Sequence, residues 1–134
     1  MPNRVAHFEI QSNDPEKTIA FYKEIFGWEF QKWEGGQFEY WMIMTAPPED
    51  TKEQGINGGL LRRPCPAPKP EQGTNAYVCT IVVDNFDNYA EKIIAAGGIV
   101  ALPKMALTGM AWQGYFIDPD GNTFGLHQPD KNAK

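Results

Sequence analysis

The sequence predicts an α+β fold in which two βαβββ modules form an open barrel around a central cavity. Residues 7–30 and residues 78–101 share one order of strand, helix cap, helix, glycine stop and strand. Further short strands follow each copy. An internal repeat constrains architecture more strongly than local propensity does. A sheet with a helix on one face needs cover on its other face, so we expect the two sheets to share a cavity with the helices outside.

The first module spans residues 4–61 and begins with an alternating strand. Alternation places His7 and Glu9 on the face of this strand that points away from the helix. Asp14 followed by proline predicts a helix start, and Gly27 predicts its end. The other strands are expected near Trp28–Trp33, Phe38–Thr45 and Ile56–Leu61, with a turn at Gly35-Gly36.

The second module spans residues 74–129 and repeats this order. A helix cap is expected at Asn85 and a helix stop at Gly97-Gly98. Residues 102–114 read as a loop, with a mobile cover as the alternative. The strands are expected near Tyr77–Val83, Ile99–Leu102, Trp112–Ile117 and Thr123–Gln128, with a tight turn at 118–122 between the last two.

The bulk properties predict one soluble domain over residues 1–134. The stretch 62–73 contains four prolines and reads as a stiff linker between the modules. With 12 basic against 17 acidic residues, the chain does not look like a nucleic-acid binder. No apolar stretch is long enough to span a membrane, and no signal peptide is apparent. Two cysteines without a framework favour the reducing cytoplasm.

Several segments in their order resemble the vicinal oxygen chelate superfamily, which includes glyoxalase I, bleomycin-resistance proteins and extradiol dioxygenases. HFEIQSNDPEKTIAFYKEIFGWEF resembles its first strand and helix, and YFIDPDGNTFGLHQ resembles its closing hairpin. GINGGLLRRP and AGGIVALPK resemble a subgroup related to lactoylglutathione lyase. The resemblance implies a glyoxalase-like domain that forms a homodimer.

The resemblance also implies four metal-ligand positions, of which the chain keeps one. His7 matches the histidine of the first module, whereas its counterpart in the second module is Val78. The two carboxylate positions fall on Gly59 and Gly125. Since valine and glycine offer no side-chain donor, we expect no cofactor and no metal at the usual site.

A different divalent metal site is the alternative. His7, Glu9 and His127 could supply two nitrogens and a carboxylate to zinc, nickel, iron or manganese. The simpler interpretation is that His7 and Glu9 form hydrogen bonds to cavity waters while His127 lies near the surface at the strand end. Without a metal, His7 and Glu9 remain candidates for acid–base catalysis on a carbonyl compound.

An aromatic-lined cavity should bind the ligand or substrate, a small organic metabolite. Alternation separates Trp41 from Tyr40 and Met42 but does not say which face lines the cavity. If the protein is an enzyme, we expect a lyase, an isomerase or an oxygenase-like member. The alternatives are a non-catalytic protein that sequesters an aromatic or drug-like ligand, and a structural module. The candidate ligand-binding residues are Tyr40, Trp41, Met42, Trp112, Tyr115 and His127.

Overall fold

The computed structural model of the chain describes residues 2–35, 39–50, 52–74 and 76–134. The chain forms two compact units, unit 1 (Met1–Ala67) and unit 2 (Pro68–Lys134). Gly36 of the expected turn and Phe38 of the expected third strand lie outside the described residues. No helix of the described part is both long and apolar enough to cross a membrane.

Unit 1 has the order β-α-β-β-β and a four-stranded mixed sheet. The strands are hydrogen-bonded in the order β1-β4-β3-β2, with β1 parallel to β4 and the other pairs antiparallel. The elements are β1 (Phe8–Ser12), α1 (Pro15–Phe26), β2 (Glu29–Lys32), β3 (Tyr40–Met44) and β4 (Gly58–Arg62).

Unit 2 repeats this topology. Its strands are ordered β5-β8-β7-β6, again with one parallel pair, β5 with β8. The predicted α+β fold of two βαβββ modules is confirmed, and neither sheet closes on itself in the described part of the chain. The elements are β5 (Cys79–Val82), α2 (Phe86–Ala95), β6 (Ile99–Leu107), β7 (Ala111–Ile117) and β8 (Thr123–Pro129).

The helix ends are formed by the residues that the sequence predicts. The Asp14 carboxylate accepts the backbone N–H of Lys17 at 3.2 Å, and Pro15 is the first residue of α1. Gly27 ends α1 in the left-handed region at φ +70°, where a side chain would be strained. In unit 2, the Asn85 side chain caps α2 by accepting the N–H of Asn88 at 3.1 Å. Capping therefore fixes both helix starts.

Each helix buries its apolar stripe against one face of its own sheet. The buried side chains of unit 1 include Phe21, Tyr22, Ile25, Ile43 and Leu60. Those of unit 2 include Phe86, Ile93, Phe116, Phe124 and Leu126. The two remaining faces, called here the helix-free face of unit 1 and the helix-free face of unit 2, carry the alternate residues of each strand.

The expectation of a loop over residues 102–114 is wrong. Strand β6 continues to Leu107, and a short turn with Gly109 at φ +76° leads into β7. Two register shifts interrupt the β6–β7 pairing, between Val100 and Leu102 and between Leu102 and Met105. Pro103 lies inside the second shift. Proline and the shifts break the alternation that identifies a strand from sequence.

The tight turn between β7 and β8 is confirmed. The buried Asp118 carboxylate accepts the backbone N–H groups of Asp120 at 2.8 Å and Asn122 at 3.0 Å. Gly121 has φ +84°, as such a turn favours. The turn fixes the start of β8, on which His127 lies.

Candidate functional site

Four of the candidate residues lie together on the helix-free face of unit 1. In the sheet register, Glu9 of β1 and Met42 of β3 both pair with Gly59 of β4. His7 precedes Glu9 by two positions and Tyr40 precedes Met42 by two, so all four share this face. His7 and Glu9 are exposed, whereas Tyr40 and Met42 are half-buried.

A tyrosine hydroxyl joins the two candidate acid–base residues. The Tyr40 hydroxyl and His7 Nε2 are hydrogen-bonded at 2.8 Å. Burial, and after it the negative charge of Glu9 and a hydrogen bond to that carboxylate, raise the pKa of Tyr40 above its ordinary value. The phenol therefore keeps its proton at neutral pH and lies near the negatively charged Glu9 carboxylate. We call His7, Glu9 and Tyr40 the Tyr40 cluster.

The Tyr40 side chain fills the space beside Gly59. A Cβ atom at position 59 would overlap the hydroxyl and the ring of Tyr40. Close approach of a neighbouring side chain is a common reason for glycine within a strand. With Tyr40 in this position, a carboxylate side chain at residue 59, where the family resemblance implies a metal ligand, would overlap the ring.

Unit 2 holds a second polar group around the corresponding glycine. Thr80 of β5 and Tyr115 of β7 both pair with Gly125 of β8, and Gln113 pairs with His127. The buried Gln113 is hydrogen-bonded through Oε1 to Nδ1 of His127 at 2.7 Å. We call Thr80, Gln113, Tyr115 and His127 the His127 cluster.

This glycine is also tightly surrounded. A Cβ atom on Gly125 would lie 2.9 Å from Thr80 Oγ1, 3.0 Å from Gln113 Nε2 and 3.1 Å from Tyr115 Cε1. These contacts are tight, but less severe than the overlap at Gly59. Both positions that the resemblance assigns to metal-ligating carboxylates are thus occupied by side chains of neighbouring strands.

Two of the candidate ligand-binding residues lie apart from the others. Trp41 pairs with the fully buried Leu60 and therefore lies on the helix side of its sheet, with Lys32 Nζ 5.5 Å from its ring centroid. Trp112 lies on the face of β7 that points towards α2, and its indole N–H donates to Asp130 Oδ2 at 3.0 Å. Neither tryptophan joins the Tyr40 cluster or the His127 cluster.

Sequence reasoning missed the roles of Gln113 and Thr80, and did not foresee that Tyr40 binds His7. The available signal was the pair of mid-strand glycines, Gly59 and Gly125, since such glycines often mark the close approach of a neighbouring group. Identifying the approaching side chains requires the strand register.

The donors of each unit do not match the metal set that the resemblance implies. Within the described residues, no three His, Cys, Asp or Glu side chains are grouped so that they could hold a metal ion. In unit 1 the Tyr40 hydroxyl is hydrogen-bonded to His7 and lies near the Glu9 carboxylate. In unit 2, the Gln113 amide, the Thr80 hydroxyl and the Tyr115 ring surround Gly125. Neutral hydroxyl and amide groups are poor substitutes for the imidazole and carboxylate ligands of zinc-type sites.

The profile of the Glyoxalase/Bleomycin resistance protein/Dioxygenase superfamily matches residues 4–126, which is most of the chain. The chain belongs to this superfamily. The match confirms the family resemblance drawn from the sequence motifs.

A curated relative in the superfamily is CFP32 of Mycobacterium tuberculosis (strain CDC 1551 / Oshkosh), named provisionally as a glyoxylase. It is 25% identical over 128 residues, which are 92% of this chain and 45% of that protein. CFP32 of Mycobacterium bovis matches equally well. The chain spans about half the length of these curated relatives.

Several solved structures of similar chain length share the fold of this chain. The fosfomycin resistance protein FosX from Listeria monocytogenes is 21% identical, with a TM-score of 0.72 over 97% of this chain and 94% of FosX. A single-site mutant of the same FosX, solved with Mn(II) and 1S,2S-dihydroxypropylphosphonic acid, gives a TM-score of 0.70 over 97% and 93% of the two chains. FosX from Mesorhizobium loti gives 0.67 at 18% identity, over 97% and 94%.

Proposed function

We propose that the chain binds a small organic carbonyl compound on the helix-free face of unit 1 and transfers a proton on it through Glu9 and His7, without the metal of its relatives. One observation supports this most strongly: the Tyr40 side chain fills the place of the implied metal-ligating carboxylate and joins the two acid–base candidates. The superfamily scaffold by itself does not fix the chemistry.

The Tyr40 cluster has the groups that such a proton transfer needs. The Glu9 carboxylate is exposed and its oxygens are hydrogen-bond acceptors, so it can take a proton from the carbon next to a carbonyl. The electron pair then moves onto the carbonyl oxygen as an enolate. Return of that proton from Glu9 to the same carbon gives hydrogen exchange. In an α-hydroxy carbonyl compound, His7 can move the hydroxyl proton between the two oxygens, and return of the proton from Glu9 to the former carbonyl carbon then gives the isomer. His7 and Glu9 are exposed, so a ligand can reach them.

The apolar surroundings of the cluster supply the binding surface in this proposal. Met42 and Met44 are half-buried on the same face, and the Trp33 ring lies edge-on to Tyr40 with 6.4 Å between centroids. Methionine and aromatic side chains form adaptable apolar surfaces for small molecules. The predicted roles of Tyr115 and His127 in ligand binding belong to unit 2 and stay predictions.

The second candidate function is sequestration without chemistry. The same methionine and aromatic surface favours it, since affinity for an aromatic or drug-like ligand needs no acid or base. The two functions differ in the use of His7 and Glu9. The shared cavity, the cytoplasmic location and the homodimer stay predictions, and a metal held by His7, Glu9 and His127 stays the alternative to the metal-free site.

A carbonyl library tests the proposed function. Methylglyoxal, hydroxyacetone, pyruvate and phenylpyruvate are offered to the EDTA-treated protein in D₂O, and NMR records both binding and the exchange of protons next to the carbonyl. We expect at least one compound to bind and to exchange faster than without protein. His7→Ala and Glu9→Gln should slow that exchange by about 10²-fold, a typical contribution of general acid–base catalysis.

The matched control is Glu24→Gln, which removes the same charge from the exposed face of α1 and should leave exchange unchanged. Binding that persists without exchange overturns catalysis and supports sequestration. Exchange that survives both site variants overturns the catalytic roles of His7 and Glu9. Absence of binding by every compound overturns both functions for this class of ligand.

A further inference from the structure

The histidine of unit 2 is held by a buried glutamine directly across the sheet. Gln113 of β7 and His127 of β8 are register partners in an antiparallel pair. The Gln113 side chain is largely shielded, with 6% of the residue exposed, whereas His127 is half-buried. The 2.7 Å distance between Gln113 Oε1 and His127 Nδ1 is a short, well-formed hydrogen bond.

This hydrogen bond specifies where the imidazole carries its proton. An amide oxygen only accepts, so Nδ1 of the neutral ring must be the donor, and Nε2 then carries the lone pair. The surroundings of the amide agree with this orientation. A Cβ atom on Gly125 would lie within 3.0 Å of both Gln113 Nε2 and Thr80 Oγ1. The amide N–H₂ group therefore points towards the Thr80 hydroxyl, which can accept a hydrogen bond.

We propose that Gln113 is a positioning residue that fixes His127 as the Nδ1–H tautomer. Nε2 of His127 is thereby the hydrogen-bond acceptor that unit 2 offers to a ligand hydroxyl, as in an alcohol, a hydrated carbonyl or an undissociated acid. Thr80, whose register partner Gly125 lies two positions before His127, adds a hydroxyl on the same face. The ligand half of this inference rests on the proposed binding of a small organic molecule, whereas the tautomer half does not.

Unit 1 provides an internal reference for this assignment. In His7 it is Nε2, not Nδ1, that is hydrogen-bonded to a protein side chain, the Tyr40 hydroxyl. The chain has only these two histidines. Their ring nitrogens can therefore be distinguished in one spectrum, and His7→Ala assigns the signals.

Nitrogen-15 NMR of the imidazole rings tests the tautomer in the full chain. In the wild type, at a pH where the His127 imidazole is neutral, we expect its Nδ1 to be protonated and its Nε2 to be unprotonated. Gln113→Leu should populate the Nε2–H form, while Gln113→Glu, which also offers an acceptor oxygen, should restore the wild-type pattern. A proton on Nε2 of His127 in the wild type overturns the proposal. This spectrum is recorded on the wild type, so the result does not depend on whether a variant folds.

Hydroxyacetone, which carries a hydroxyl and a carbonyl, probes the ligand half. Its addition should shift the Nε2 signal of His127, with about fivefold weaker binding in Gln113→Leu than in Gln113→Glu, as the loss of one oriented hydrogen bond implies. No shift of Nε2 overturns the ligand assignment even when the tautomer is as expected. Equal affinity in the two variants overturns the positioning role of Gln113. Loss of the exchange activity alone would instead contradict the proposed function.

Discussion

The two units place different side chains at equivalent register positions. In each unit a side chain of the third strand lies beside a glycine of the fourth strand and is hydrogen-bonded to the only histidine of that unit. In unit 1 this residue is Tyr40, beside Gly59. In unit 2 it is Gln113, beside Gly125. In the proposed function, the phenol and its neighbouring carboxylate serve proton transfer, and the proposed role of the amide is to orient its histidine. A duplicated scaffold therefore constrains where a site forms, and single residues decide its chemistry.

The glycine of unit 1 should be the less replaceable of the two. Gly59→Ala places a Cβ on the Tyr40 hydroxyl and ring, so we expect a loss of about 3 kcal/mol in the free energy of unfolding, at the upper end for overpacking. Urea denaturation measures it. Gly55→Ala is the matched control, since nothing lies within 4 Å of its Cβ position, and it should change stability by less than about 0.5 kcal/mol.

A double variant identifies the cause of that loss. Tyr40→Ala with Gly59→Ala removes the overlap, so the second substitution should cost far less in this background than in the wild type. Equal costs in both backgrounds would show that Tyr40 does not fill the space beside Gly59, and the contrast between the units would then lose its basis.

Gly125→Ala should have a smaller effect, of about 1 kcal/mol. The nearest atoms are side-chain atoms of Thr80, Gln113 and Tyr115 at 2.9–3.1 Å, which can move by a few tenths of an ångström. Urea denaturation again gives the value, beside Gly55→Ala. A cost equal to or above that of Gly59→Ala would reverse the proposed ranking of the two sites.

The titration of Tyr40 should respond to Glu9. Burial and the Glu9 carboxylate raise the pKa of Tyr40, so Glu9→Gln should lower the pKa toward the ordinary value of about 10. Tyrosinate absorbance against pH measures this, with Tyr40→Phe assigning the signal. An unchanged pKa of Tyr40 in Glu9→Gln would show that the Glu9 carboxylate does not interact with the Tyr40 hydroxyl.

The smallest expected effect is on stability at high pH. Because the pKa of Tyr40 is raised in the folded chain, the folded state holds this proton more tightly than the unfolded state. The resulting stabilisation is complete below about pH 10 and is lost as pH rises through the pKa of the folded state. The wild type should therefore lose stability more steeply than Tyr40→Phe above about pH 10. Parallel urea midpoints for the two proteins would contradict this.

Much of the fold could be predicted from the sequence because its signals are local. The Asp14-Pro15 start, the Gly27 stop and the turn at 118–122 depend on neighbouring residues only. Strand β6 was predicted too short because Pro103 and two register shifts hide its alternation.

The candidate site was only partly predictable because it depends on strand register. Alternation placed His7 and Glu9 on one face of β1. It could not decide between Tyr40 and Trp41, since that choice depends on how β3 pairs with β4. The partnership of Gln113 with His127 depends likewise on the pairing of two strands separated by a turn.

Metal binding tests the central claim most directly, namely that the Tyr40 side chain has replaced the metal-ligating carboxylate. The purified chain is incubated in turn with Mn(II), Zn(II), Ni(II) and Fe(II), dialysed, and its metal content is measured beside that of His7→Ala. We expect far less than one equivalent of any metal, with no difference between the two proteins. One equivalent that is retained by the wild type and lost in His7→Ala would contradict it.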